Sequence, residues 1–536
     1  MSPRARADGL LLVGFSIFLF FYGLGSFGLI GADEPRYAQV AREMLARHDC
    51  ITPTLGGKPW LEKPVLYYWQ AMLAYSIFGV SDWAARVPSA IDATLMVLGV
   101  YLFLRRLRPG FHLDGALMTA AAAGAVGFAR AAATDMPLAA MFALAMMAWY
   151  AWWETSAKVY LGGFYVCLAL ATLAKGPVAP FLAGTMIVLF AIFAQDSNII
   201  LKTLWLPGMA LFGAVAAPWY VAVQVRNPDF FRVFVLEHNL ARFGTNLYHH
   251  PEPFWFYIPV VALGLVPWVV FTAASTLETI RGWWSERSAL FESRDALSAF
   301  LVIWLAVPVL FFSISQAKLP GYILPALPAG TLLVAEYLRR HVDDEDGPPV
   351  WLVTLHAIVA AAAVVPALMI VYVITQHHLP WGTGTEIAIG VALILAVGIV
   401  FTLRSRLGLR MLRFVTFIPV VVAVGAVLKI GAFQADEALS ARPLAQQLAE
   451  METKPMPIAI FGARRETEFG LAFYRNQVIS RYEKKSIPPG EHIVVAPSGS
   501  KDALSALVPG RRISYLGTYP AQNLDYYWVT GMNPGQ

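Results

Sequence analysis

The sequence predicts a polytopic α-helical membrane protein of about thirteen spans that ends in a small α/β domain. Three observations carry this. Of 536 residues, 58% are hydrophobic and 14% charged, where soluble domains carry about 25% charged residues. Apolar runs near the ~20 residues that cross a bilayer recur up to residue 430. Beyond that point short apolar runs alternate with polar, helix-compatible segments. Mean hydropathy is +0.58.

The candidate spans are approximately 9–30, 83–104, 115–131, 135–153, 160–175, 177–194, 204–224, 255–275, 297–314, 321–339, 351–374, 385–403 and 411–430. The first is too long for the apolar part of a signal peptide, and no small-x-small cleavage site follows it. It reads as a retained helix. With Arg4 and Arg6 inside, alternate connections carry Arg105, Arg106 and Arg108, then Lys158, Lys202, Arg281, Arg287 and Arg294, Arg339 and Arg340, and Arg404, Arg406, Arg410 and Arg413. This is the positive-inside pattern. It puts the loop 31–82, the links near 132–134 and 175–176, and the loops 225–254, 315–320 and 375–384 outside, together with the C-terminus. The net charge of +5 follows from topology, and nucleic-acid binding is not read from it. Cys50 lies in a loop and Cys167 inside an apolar run, so no bridge is expected between them.

The organisation expected is a transmembrane domain over 1–431 with the outer loop 31–82, and a soluble domain over 432–536. In the latter, Pro457–Phe461, His492–Pro497 and Ile513–Leu516 read as strands and Leu444–Glu450 as helix. Arg464, Arg465 and Glu466 read as a solvated turn.

The chemistry-bearing residues gather on the outer side. Asp33 and Glu34 follow span one, Asp135 opens span four, and Lys175 joins spans five and six. Glu237, His238, Arg242, His249 and His250 lie after span seven, and Lys318 precedes span ten. Ionisable groups at membrane depth cost about 2.5–3.5 kcal/mol each on insertion scales, and by default mark function. One lysine alone reads equally as a snorkelling side chain. Lysines and arginines here suit a lipid phosphate, and a nearby carboxylate suits a general base or an orienting group. Tyr37, Tyr67, Tyr68 and Tyr322 read either as an interfacial aromatic belt or as platforms for a sugar. Residues 35–47 predict an amphipathic helix, with Val40, Met44 and Leu45 on one side and Arg36, Gln39, Glu43 and Arg47 around the other, lying flat on the membrane interface. Its N-terminal dipole favours ionised Asp33 and Glu34. There is no P-loop, no dinucleotide fingerprint and no HisGluXaaXaaHis, so neither a nucleotide nor a metal is required by motif.

AspGluProArgTyrAla at 33–38 and GlyLysProTrpLeuGluLysProValLeuTyrTyrTrp at 57–69 resemble the first outer loop of the lipid A aminoarabinose transferases. These are GT-C membrane glycosyltransferases related to the protein O-mannosyltransferases. ThrAspMetPro at 134–137, LeuAlaLysGlyPro at 173–177, GluHisAsnLeuAlaArgPhe at 237–243, HisHisProGluProPheTrpPheTyr at 249–257 and LysLeuProGlyTyrIleLeuPro at 318–325 are similar to further motifs of that family, in the same order. The resemblance covers roughly residues 1–340.

The resemblance implies an enzyme of the bacterial inner membrane, with its active site and C-terminal domain facing the periplasm. It implies transfer of a sugar from a polyprenyl-phosphate carrier to a lipid acceptor such as lipid A, with inversion. 4-Amino-4-deoxy-L-arabinose leads among the sugars; transfer of another sugar to a protein, polysaccharide or other lipid stays open. A transporter or flippase would place its site near the midplane, often between internal repeats, and none is seen. A structural scaffold leaves the one-sided charges unexplained. Asp33 matches the family's catalytic carboxylate, with Asp135 as a second acid. Lys63 matches the lysine on the donor phosphate. Lys58, Arg36, Tyr37, Tyr68, Lys175, Lys318 and Tyr322 are further donor candidates, and Glu34, Glu237, His238, Arg242 and His250 are candidates in acceptor or loop contacts. The resemblance makes Glu62 a candidate for a divalent metal, which the sequence does not require. A monomer is expected.

Overall fold

The computed structural model describes residues 3–241, 252–285, 296–345, 347–368, 381–428, 432–484 and 486–531. It divides into two compact units. The first comprises Met1–Tyr22, Leu61–Tyr67 and Arg86–Leu428; the second comprises Gly23–Trp60, Tyr68–Ala85 and Lys429–Gln536.

The first unit is helical. Among the described residues nine helices are long and apolar enough to cross a membrane, and a bent pair, Phe254–Gly264 with Val269–Trp283, makes a tenth. The remaining three apolar stretches are helical but short or interrupted. One is Val178–Phe193; another is broken into His112–Ala121 and Ala123–Ala129 by the extended Ala122. The first stretch runs as helix Pro3–Ser16 and a π-helical turn Ile17–Phe21, then stops at Tyr22, which is extended. It was expected to continue to residue 30. Gly23, Gly25 and Gly28 follow at once, and glycine is the poorest helix former after proline.

Helix Asp135–Thr155 and helix Lys158–Lys175 are joined by two residues. Ser156 takes a left-handed conformation (φ 58°) that ends the first helix. So short a link forces an antiparallel hairpin, and the first residue of one helix and the last of the other meet at one end. Gly176 then turns the chain at φ +96°, a conformation side chains resist, and Pro177 opens the way into Val178–Phe193. The core of this unit is aromatic: the Phe300 ring lies 5.5 Å from Trp149 and 5.0 Å from Tyr150. Trp304 Nε1 donates to the Pro325 carbonyl at 2.9 Å, locking helix Ala296–Ile314 against the start of the next. Large apolar side chains such as Val225, Ile394 and Phe401 stand exposed on span-length helices, as lipid contact demands.

The second unit holds a hairpin of β1 (Thr54–Leu55) and β2 (Lys58–Pro59), and a five-stranded sheet. The sheet comprises β3 (Ile458–Ile460), β4 (Ser480–Arg481), β5 (His492–Pro497), β6 (Ile513–Tyr519) and β7 (Leu524–Val529), in the order β4-β3-β5-β7-β6. β3 pairs in parallel with β4 and β5, and β7 antiparallel with β5 and β6. Alternate residues build two cores. Ile458, Ile460, Ile493, Val495 and Tyr526 pack with Leu444, Leu448 and Leu471; Val494, Ala496, Tyr527 and Val529 pack with Tyr482, Leu504 and Val508.

The expected strands and the helix near 444 are present. β4, β7 and helix Arg465–Arg475 are additions. Arg465 and Glu466 start that helix rather than lying in a turn, though both are exposed.

Residues 23–30 fold with the C-terminal segment through specific bonds. Gly28 N–H donates to Asp436 Oδ1 at 2.7 Å, Leu29 N–H to Tyr474 Oη at 2.7 Å, and Ile30 bridges to Ser440. The helix expected over 35–47 runs Asp33–Ala46. Its polar side is largely buried. Glu34, Arg36 and Gln39 are buried along with Val40 and Met44, and the helix packs against Arg465–Arg475. Two charged residues of this helix are bonded inside the protein: Arg42 Nη1 donates to the Phe473 carbonyl at 2.9 Å, and Glu43 accepts from Gly56 N–H at 2.8 Å.

Candidate active site

In the first unit, the hairpin's end brings Asp135 and Lys175 together. Lys175 Nζ donates to Asp135 Oδ1 at 2.5 Å, with side-chain exposures of 12% and 17%. Each charge suits its helix end: the carboxylate at an N-terminus, the ammonium at a C-terminus. The Lys175 ammonium also lies 4.7 Å from the centre of the Tyr322 ring, a cation–π contact. An ammonium has three donors, and the bond to Asp135 takes one. The cluster is a fixed cation with donor capacity left for an anion.

Tyr322 is placed by its turn. Tyr257, fully buried, clamps Leu319 from both sides of the peptide: its hydroxyl donates to the Leu319 carbonyl and accepts from the Leu319 N–H, both at 3.1 Å. Lys318 is buried, and its ammonium donates to the Ser315 carbonyl at 2.6 Å, closing the same turn. Gly321 runs so close to Asp135 that a Cβ there would strike the carboxylate. Tyr257 belongs to the motif at 249–257 but did not stand out as a site residue, since its role is visible only once the turn at Leu319 is seen. The sequence reading also passed over Arg86, Asp92 and Arg130, all buried in this unit. The signal was available, because a charge inside an apolar run is rarely incidental. Arg130 Nη1 donates to the Leu19 carbonyl at 3.1 Å.

In the second unit, Asp33 opens its helix and pairs with Arg36 one turn on. The Arg36 guanidinium lies over three rings, Tyr37 at 5.0 Å, Trp60 at 5.2 Å and Phe469 at 5.6 Å. Tyr68, fully buried, stands with its ring 6.3 Å from Tyr37. Arg36 is thus held in an aromatic cage, and it fixes a carboxylate whose side chain remains 53% exposed. Asp33 is oriented yet reachable, as a catalytic carboxylate must be. Glu34 is buried and accepts from the Ile30 N–H at 2.8 Å, tying down the chain that enters the helix. Lys58 is exposed on β2.

Lys63 and Glu62 are half-buried in the stretch Leu61–Tyr67 of the first unit. Glu237 pairs with Arg232 on the surface, a contact of small energetic weight. The His238 side chain, Arg242, His249 and His250 lie outside the described residues. Among the described residues no group of three or more His, Cys, Asp and Glu side chains stands ready to hold a metal ion.

Comparison with known proteins agrees with this architecture. Residues 62–221 match the dolichyl-phosphate-mannose-protein mannosyltransferase family. ArnT from Cupriavidus metallidurans, solved with undecaprenyl phosphate bound, superposes with a TM-score of 0.77 over 98% of both chains at 22% identity. The chain shares the fold of that structure: a polytopic helical bundle with a small C-terminal sheet domain.

Two curated relatives sharpen the likeness. The undecaprenyl phosphate-alpha-4-amino-4-deoxy-L-arabinose arabinosyl transferase 1 of Pseudomonas fluorescens is 30% identical over 353 residues, 64% of this chain and 59% of that protein. The corresponding transferase of Pseudomonas aeruginosa is 33% identical over 349 residues, 63% of this chain and 61% of that protein. The chain thus spans about three fifths of the length of the curated relatives it matches.

Proposed function

We propose that this protein is a GT-C glycosyltransferase that moves a sugar from a polyprenyl monophosphate carrier to a lipid acceptor at the periplasmic face of the bacterial inner membrane. The sugar is 4-amino-4-deoxy-L-arabinose and the acceptor lipid A. The names of the similar transferases support the donor class. The observation that carries the reading is the Lys175 ammonium, held at the end of a membrane-spanning hairpin between a carboxylate and a tyrosine face.

In the reaction the bond from the anomeric carbon to the carrier phosphate breaks, and a bond to an acceptor oxygen forms on the opposite face of the sugar. The carrier leaves as a phosphate monoester with more negative charge than it brought. Lys63, the family's phosphate lysine by motif, and Lys175 offset that charge, with the Tyr322 hydroxyl as a further donor. Asp135 positions Lys175. Asp33, fixed by Arg36, serves as the catalytic carboxylate: a general base toward a hydroxyl acceptor, or an orienting group toward a phosphate acceptor that is already ionised. Tyr37, with Trp60 and Phe469, builds the wall that holds Arg36, and Tyr68 stands beside Tyr37. Lys318 acts through the turn that carries Tyr322.

The test is mass spectrometry of lipid A and other lipids from cells with and without the chain. Lipid A carrying an added aminopentose only when the protein is present supports the reading. Unchanged lipid composition alongside an altered leaflet distribution would mean a transporter instead.

A further inference from the structure

The second unit contains a groove of about 440 Å³ to which the reaction steps above assign no ligand. It lies between the first outer loop and helix Arg465–Arg475, and its walls include Gln39, Glu43, Lys58, Trp60, Arg465 and Lys484. We propose that this groove binds a phosphorylated saccharide, the head group of the acceptor. Its identification as the acceptor rests on the transferase reading above; its preference for a phosphorylated saccharide does not.

Two features define the ligand. The first is a pair of buried polar atoms without partners among the described residues, Gln39 Oε1 and Trp60 Nε1. Gln39 is only 5% exposed. Buried polar groups are almost always satisfied, and each exception asks for an explanation. One of these atoms accepts and the other donates. A sugar hydroxyl does both, and an indole edge beside it offers the flat apolar surface that sugar rings favour.

The second feature is charge. Both carboxylates of the groove are already committed. Glu43 accepts from Gly56 N–H at 2.8 Å and Gly57 N–H at 3.1 Å, and Glu468 pairs with Arg481 at 3.1 Å. Lys58, Arg465 and Lys484 are exposed at the rim with no carboxylate at ion-pair distance among the described residues. Three uncompensated cations around a hydroxyl-seeking floor describe a site for a sugar bearing phosphate.

The experiment uses the full chain in detergent or nanodiscs. Titration with a soluble disaccharide phosphate is followed by calorimetry, beside the unphosphorylated disaccharide and inorganic phosphate alone. The disaccharide phosphate is expected to bind best. Arg465→Gln with Lys484→Gln, two surface changes that leave the cores untouched, should weaken it by about tenfold. Gln39→Met should weaken both saccharides and leave phosphate unaffected. Equal binding of phosphate alone would reduce the groove to a plain anion site and overturn the saccharide assignment; no binding of any ligand would overturn the whole proposal. In transfer assays the double variant should raise the KM for a phosphorylated lipid acceptor, with the donor KM and kcat unchanged. A raised donor KM, or an unchanged acceptor KM in an active enzyme, would contradict the acceptor role. If the saccharide phosphate binds but no transfer is seen with any acceptor, the transferase reading fails and the binding site stands.

Discussion

Lys175 Nζ lies 2.5 Å from Asp135 Oδ1, at the open end of a helical hairpin whose other end turns in two residues. Both side chains are largely removed from solvent, so each depends on the other. Removing one partner of such a pair leaves an uncompensated charge, at a cost of about 3–5 kcal/mol. Lys175→Met should therefore lower the melting temperature in detergent clearly, and Asp135→Asn combined with Lys175→Met should recover most of the loss. Additive losses in the double variant would show that the two residues are not coupled. Both single variants should also lose transfer, the lysine variant more.

Gly321→Ala separates positioning from charge. Its Cβ would strike the Asp135 carboxylate, and all charges remain. We expect kcat to fall by about a hundredfold, the scale on which small displacements act in catalysis, with a smaller loss of melting temperature than in Lys175→Met. Wild-type turnover in this variant would show that Asp135 has slack.

Asp33→Asn should abolish transfer, by at least about 100-fold, in a protein that stays folded and inserted and still binds polyprenyl phosphate. Full activity with the natural substrates would remove Asp33 from the mechanism. Lys63→Ala should instead weaken use of the donor, seen as a raised donor KM together with slower turnover.

The C-terminal sheet should be acid-sensitive through His492. Its Nδ1 faces the Gly490 carbonyl at 2.8 Å, which only accepts, so that nitrogen carries the proton. Nε2, at 2.6 Å from the Tyr482 hydroxyl, then accepts. Burial pushes the imidazole pKa down, the Gly490 carbonyl opposes this in part, and Arg511 adds to it. The unfolded chain takes up a proton near pH 6.5, before the folded domain does. Stability is thus full above about pH 6.5 and falls as pH drops below it. Hydrogen exchange of the β3, β5 and β7 amides in the full chain, corrected for intrinsic rates, should show lower protection at pH 5.5 than at 7.5. His492→Gln, which keeps both hydrogen bonds and cannot titrate, should flatten that dependence; an unchanged slope would assign it elsewhere. Asp525 titrates in a separate window. Burial would raise its pKa, but hydrogen bonds from Thr518, Gly499, Ser498 and Tyr527 outweigh it and hold the carboxyl below the usual range.

Much of this was legible in the sequence because bilayer physics simplifies it. Apolar runs of the right length fixed where helices lie, and the Lys/Arg asymmetry put Asp135 and Lys175 on one side. Their direct pairing was not legible, because it depends on Ser156 and Ala157 being the whole of the turn. Residues 33–46 misled in a specific way. Arg36 and Gln39 read as the polar side of an interfacial helix, yet Arg36 is buried under three aromatic rings that come from residues 37, 60 and 469. No local pattern announces a partner four hundred residues away. The groove beside that helix was invisible for the same reason. The early stop of the first helix at Tyr22 was foreseeable from the three glycines after it, but an apolar run outweighed them. β7, with its LeuAspTyrTyrTrpVal sequence, lacks the strict alternation that marks a half-buried strand, because the sheet is covered on both faces.

The most direct measurement of the central claim is stoichiometric transfer in proteoliposomes holding only the purified chain, polyprenyl-phosphate-linked aminoarabinose and lipid A. One equivalent of free polyprenyl phosphate should appear for each aminoarabinose found on lipid A by mass spectrometry, and both should vanish with Asp33→Asn. Consumption of neither substrate by the wild-type chain, with donor and acceptor both present in the outward-facing leaflet, would contradict the account.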